Sequence, residues 1–113
     1  MAKKRNRFKL VPVIGTLILL LLFSLFSVIS RDDRLCFTAF NVGQGDAFLF
    51  EFPNGQTMLI DSGTRKGGRS VVSALQSKGI RTVDILVLSH PHEDHIGGMT
   101  EILRSFTIGK VWD

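Results

Sequence analysis

The chain begins with a short basic tip and then runs from Leu10 to Ile29 without a single charge. As a helix, residues 10–29 would reach about 30 Å, enough to cross the hydrocarbon core of a bilayer. From residue 35 the pattern changes to short segments. Residues 35–42 are rich in strand-forming side chains and end at Gly43. Residues 47–52 alternate, with Phe48, Phe50 and Phe52 on one face and Ala47, Leu49 and Glu51 on the other. Pro53-Asn54-Gly55 predicts a turn, and residues 56–61 the returning strand of a hairpin. A polar, glycine-rich loop is expected over 62–68. A helix is expected over 70–78, with Val71, Val72 and Leu75 as its apolar stripe and Gly79 as its stop. The nearly continuous apolar run at 83–88 predicts a strand buried on both faces. Met99, Ile102, Leu103 and Phe106 recur at the spacing of one helical face, and residues 107–112 return to strand character.

Hairpin, helix, strand, helix, strand is the order of an α/β (α+β) domain: a mixed sheet with helices packed on it. The sheet so built has an unfinished edge and one uncovered face, so the pattern reads as interrupted. Three regions follow: a basic tip at 1–9, an apolar segment at 10–30, and a folded domain at 31–113.

Charge sharpens that division. The whole chain carries 14 basic and 10 acidic residues. Five of the basic ones (Lys3, Lys4, Arg5, Arg7, Lys9) lie in the tip, which leaves 9 basic against 10 acidic over residues 31–113. The folded part therefore gives no electrostatic support for strong duplex binding. A basic tip before an apolar span, with the neutral flank Arg31-Asp32-Asp33-Arg34 after it, is the positive-inside pattern. It predicts the tip in the cytoplasm and residues 31–113 outside. The span reads either as a retained single-pass anchor, which its length favours, or as a secretory signal cut near Val28-Ile29-Ser30. Both readings export the remainder. The lone Cys36 excludes an internal disulfide and is expected as a small buried side chain on a strand.

Candidate chemistry is concentrated in six positions. All three histidines of the chain fall within His90-Pro91-His92-Glu93-Asp94-His95, directly after the apolar strand. His90 and His92, two apart in extended chain, point the same way and can share one metal ion. Pro91 favours that extended backbone. Asp94 and His95 lie where the chain turns into the next helix and can address a second ion. Nitrogen and carboxylate donors suit zinc, with iron or manganese as substitutes. Glu93 is expected to face solvent. Gly43-Gln44-Gly45 lacks the Lys-Ser/Thr that completes a phosphate loop.

His-x-His-x-Asp-His after an apolar strand resembles the signature of the metallo-β-lactamase superfamily. Phe40-Asn41-Val42-Gly43-Gln44-Gly45-Asp46-Ala47, Leu59-Ile60-Asp61-Ser62-Gly63 and Leu88-Ser89-His90 are similar to the hydrolase domain of ComEC-type DNA-internalisation competence proteins. The resemblance covers roughly residues 35–112. It implies the N-terminal half of an αββα sandwich behind one transmembrane helix, and two zinc ions in the complete domain. It implies His90 and His92 on the first ion, Asp94 and His95 on the second, and Asp94 also orienting the attacking water. Asp61 would brace the metal loop by hydrogen bonding. Asp46 would lie near the site mouth, as a substrate or supporting contact or as a turn-stabilising residue.

The activity implied is metal-dependent hydrolysis, of DNA or another phosphodiester at the cell surface. Another ester, thioester, lactone or lactam is the alternative. A complete domain of this kind supplies further histidines and a bridging aspartate. No histidine follows His95, so each ion has two ligands here, where catalytic zinc usually has three. The expectation is a fragment or a truncated, non-catalytic product that needs a missing C-terminal half or a completing chain. Nothing in the sequence indicates an oligomeric state.

Overall fold

The computed structural model describes residues 10–29 and 33–113, and the expected order of elements is present there. The chain divides into two compact units, Met1–Asp32 and Asp33–Asp113. The described part of the first is helix α1 (Leu10–Ile29), 20 residues long. Pro12 sits in its first turn, where a missing N–H is harmless. The Thr16 hydroxyl donates back to the carbonyls of Pro12 and Val13. Side chains of α1 are described over residues 12–25, a stretch rising about 21 Å. Among the described residues, no helix is long and apolar enough to cross a membrane.

The second unit is built on a five-stranded sheet whose strands lie in sequence order: β1 (Cys36–Ala39), β2 (Phe48–Glu51), β3 (Thr57–Ile60), β4 (Thr82–Val87) and β5 (Thr107–Trp112). The first three pair antiparallel and the last three parallel. The β2–β3 turn closes with Gly55 N–H donating to Phe52 O at 2.8 Å and Phe52 N–H to Gln56 O at 2.9 Å. Parallel neighbours need crossovers. Helix α2 (Arg65–Ser77) makes the first, and α3 (Glu93–Ile96) with α4 (Met99–Ser105) makes the second.

Register decides the core. Thr38, Leu49, Leu59, Leu86 and Val111 form one row across the sheet. The three leucines are fully buried, in one cluster with Val71, Leu75, Met99 and Ile102 of the helices. Each such side chain contributes about 1.5–3 kcal/mol by leaving water. The other face carries the row Phe37, Phe50, Met58, Ile85. There Phe37 is 57% exposed, its ring centroid 5.7 Å from that of Phe48 and 5.0 Å from that of Phe50.

Four expectations need correction. Helix α2 starts at Arg65, inside the segment read as a glycine-rich loop, because Thr64 caps it: its hydroxyl accepts from Gly67 N–H at 3.3 Å. Strand β4 is not buried throughout, since Ile85 and Val87 are only half-buried while Val83 and Leu86 are fully buried. Leu103 is 55% exposed while Met99, Ile102 and Phe106 are buried, so the contact stripe of this short helix is narrower than its periodicity. Cys36 is exposed rather than buried, because β1 is an edge strand.

Candidate metal centre

Asp61 ends β3 with φ of 58°, in the left-handed region that aspartate enters more readily than most residues. Its N–H donates to Val87 O at 3.0 Å, which ties this turn to the end of β4. The side chain is 2% exposed, and both its oxygens are engaged. Oδ1 accepts the Ser89 N–H at 2.9 Å. Oδ2 accepts the Ser89 hydroxyl and lies 2.9 Å from His95 Nδ1. A buried carboxylate left without such donors would cost several kcal/mol, roughly. Here none of the buried side-chain polar atoms described lacks a partner.

A carboxylate only accepts, so His95 Nδ1 carries the hydrogen of that bond. In the neutral ring Nε2 is then a free lone pair, the form a metal requires. The hydrogen bond to Asp61 raises the His95 pKa above its ordinary value of 6.5. Burial opposes the rise, and the charges of Asp61, Asp94 and Asp46 add to it. Nε2 lies 3.9 Å from Asp94 Oδ2. Two ligands of one tetrahedral zinc ion stand about 3.3–3.4 Å apart. At 3.9 Å the pair stands about half an ångström wider than two ligands of one ion.

The backbone of this loop is fixed from two sides. Ser62 donates to His95 O through its N–H (2.7 Å) and its hydroxyl (3.2 Å), and Gly98 N–H donates to Gly63 O at 3.0 Å. On the other side the 43–46 loop lies against it. A Cβ on Gly45, whose φ is 93°, would sit 1.5 Å from Asp94 O, so only glycine allows that approach. Asp46 O accepts from Gly63 N–H at 2.8 Å. The half-exposed Asp46 carboxylate lies 3.9 Å from His95 Nδ1, a charge neighbour of a nitrogen already bonded to Asp61.

His90 and His92 complete the group. Their ring centroids are 4.8 Å apart at 79°, and those of His90 and His95 are 3.8 Å apart. His90 Nδ1 is 3.0 Å from Ser89 Oγ. His92, the extended residue before α3, holds Ile96 N–H with its carbonyl at 3.0 Å and is exposed. A cavity of about 300 Å³ opens beside His90, walled by Ser89, Pro91, Leu88, Ile96 and Asp113. The six residues singled out from sequence are thus brought to one place. Among the described residues, however, no group of three or more His, Cys, Asp or Glu side chains is arranged to hold one ion. The donor types suit a metal, but the described side chains do not form a three-ligand cage. Sequence reasoning gave no role to Ser89, Ser62 or Gly45. For Ser89, its place directly before the first histidine at a strand end was the available signal.

The αβ half-sandwich and its histidine loop define a family. Residues 40–113 match the metallo-beta-lactamase superfamily, and the chain belongs to it. Anti-Pycsar protein Apyc1 of Bacillus phage 010DV004 is 38% identical over 81 residues, covering 60% of this chain and 30% of Apyc1. Competence protein ComA of Neisseria gonorrhoeae is 33% identical over 72 residues, covering 63% of this chain and 10% of ComA. A metallo-beta-lactamase structure from Cronobacter sakazakii superposes with a TM-score of 0.54 at 19% identity, over 79% of this chain and 34% of that one, a likeness of fold alone. The chain spans less than a third of either curated relative.

Proposed function

We propose that this chain carries the first half of a two-zinc hydrolase site that acts on phosphodiesters, DNA among them, outside a membrane to which residues 10–29 tether it. The observation that carries this reading is Asp61, a buried carboxylate that orders His95 directly and the strand-end segment before His90 through Ser89. A loop with no chemistry to perform has no need of such bracing. His90 and His92 would hold one ion, and Asp94 and His95 the other. Zinc, or iron or manganese in its place, supplies Lewis-acid charge that lowers the pKa of water towards neutrality and steadies negative charge on phosphorus. Asp94 accepts a hydrogen bond from the attacking water and orients it. Asp61 keeps the Nε2 atom of His95 free. Asp46, half-exposed beside His95, would serve as a substrate or supporting contact. Likeness to a competence protein supports a DNA-type substrate. The basic tip supports a cytoplasmic N-terminus, and cleavage after the span would give a secreted form instead.

A second reading, a non-catalytic module that requires further ligands from additional sequence or a completing chain, is favoured by the absence of a three-donor group among the described residues. Elemental analysis separates the two. The full chain in detergent should hold about one or two zinc ions, lost in His90→Ala/His92→Ala, and should hydrolyse bis(p-nitrophenyl) phosphate or single-stranded DNA. Zinc without hydrolysis would leave the non-catalytic reading. No zinc in the wild-type chain would remove the metal site itself.

A further inference from the structure

We propose that Ser89 is a positioning residue: its hydroxyl relays the Asp61 carboxylate to His90, fixing the His90 proton on Nδ1 so that Nε2 is presented as a ligand. The inference rests on the reading of His90 as a metal ligand and assigns a role to a residue outside that ligand set.

The proton positions follow from donor and acceptor counting. Asp61 Oδ2 can only accept, so the close Ser89 contact places the hydroxyl hydrogen on that bond. Ser89 Oγ then has only lone pairs left for His90 Nδ1, 3.0 Å away. Nδ1 must therefore be the donor. In neutral imidazole one nitrogen donates and the other accepts, and the bond made by one decides the other. His90 Nε2 is left with its lone pair outward. His95 reaches the same tautomer by direct contact with the same oxygen, at 2.9 Å. One buried carboxylate thus sets two imidazoles, one at first hand and one through a hydroxyl. The alternative tautomer of His90 would put a hydrogen where the ion must bind.

A purely structural role for the hydroxyl has little support. Ser89 is exposed, and its backbone N–H already fastens it to Asp61 Oδ1 whatever the side chain. Removing the hydroxyl leaves that tether and the His95 bond to Asp61, and takes away the relay together with one donor to Asp61 Oδ2.

The test is long-range proton–nitrogen correlation spectroscopy on the full, metal-free chain in detergent, with nitrogen-15 in its three histidines, at a pH where imidazole is neutral. The wild type should show His90 and His95 both as the Nδ1–H tautomer. Ser89→Ala should convert His90 to a mixture or to Nε2–H and leave His95 unchanged. Ser89→Thr, which keeps a hydroxyl, should restore His90. Zinc affinity should fall about 10–100-fold in Ser89→Ala and recover in Ser89→Thr. An unchanged His90 tautomer in Ser89→Ala overturns the relay. A changed tautomer with unchanged zinc affinity overturns the positioning role. Should Ser89→Ala disturb His95 as well, Ser89→Thr decides: Nδ1–H at His90 supports the relay and Nε2–H overturns it. If the wild type takes up no zinc, the ligand reading of the previous section falls, and the spectra alone still decide the relay.

Discussion

The two halves of the histidine motif are held in different ways. His90 and His95 are both tied to Asp61, one through Ser89 and one directly. His92 and Asp94 have no such tie among the described residues: His92 is exposed on the N-terminal side of α3, and Asp94 is held through its backbone against Gly45. The difference separates two requirements of a metal loop. Imidazoles that must offer one chosen nitrogen need a partner for the other. A carboxylate, whose two oxygens are equivalent, has no tautomer to fix and can be placed by its backbone.

The comparison breaks most completely at its shared point. Asp61→Ala strands the Ser89 N–H and His95 Nδ1–H together and removes the carboxylate from a buried site. A donor left unpaired costs at most about 1–3 kcal/mol, and less where water reaches it, as it does at the exposed Ser89. A loss of roughly 1–3 kcal/mol is expected in urea denaturation, with zinc affinity weaker by about tenfold or more. Wild-type stability in Asp61→Ala would mean that the network carries no load. Gly45→Ala attacks the other half. A methyl group driven into Asp94 O, at a φ of 93°, combines overpacking with backbone strain and should cost about 2–4 kcal/mol. It should also displace Asp94 while leaving the His90 tautomer intact, which the histidine spectra would show.

How much of this was legible in sequence depends on what each residue answers to. The five strands and the two packed helices follow local patterns: alternation marked the strand of Leu49, turn chemistry the returning strand of Leu59, and a continuous apolar run the strand of Leu86, but which face each buries came with the register. The start of α2 was not, because Thr64 as a cap outweighed the glycines that argued for a loop. Leu103 fits the helical stripe by spacing, yet only Met99, Ile102 and Phe106 of that stripe are buried in the fold. At the site, the ligand candidates were visible because three histidines in six positions have few other uses. Asp61 entered through resemblance, and its geometry came only with the fold, since its partners Ser89 and His95 are 28 and 34 residues away. Ser62 and Gly45 are more opaque still: Ser62 donates to a distant backbone carbonyl and Gly45 makes room for another, contacts that no residue pattern announces.

His92→Ala sharpens the comparison from its weak side. The ring is exposed and bonds to nothing described, so the metal-free protein should lose less than about 0.5 kcal/mol. Zinc binding, in contrast, should fall sharply, because the first ion keeps only His90. A metal-free destabilisation comparable with that of Asp61→Ala would show that the two halves are braced alike.

The smallest effect expected is a pH dependence, and its sign carries the information. The His95 pKa is raised in the folded chain, chiefly by its bond to Asp61. The folded state then binds the proton more tightly than the unfolded state. Linkage makes this contribution fully present below about pH 6.5, the unfolded value, and lost as pH rises through the folded pKa of His95. The metal-free protein should thus lose this increment with rising pH, and His95→Gln should lack it. Zinc reverses the direction, since it needs the neutral ring and competes with the proton. With zinc in excess, stability should climb over the same interval and fall back in acid. Denaturation midpoints measured across this range, with and without zinc, for the wild type and His95→Gln, check both signs. Slopes of the same sign with and without metal would mean that His95 does not reach the ion, and that Asp61 holds the ring for the fold alone.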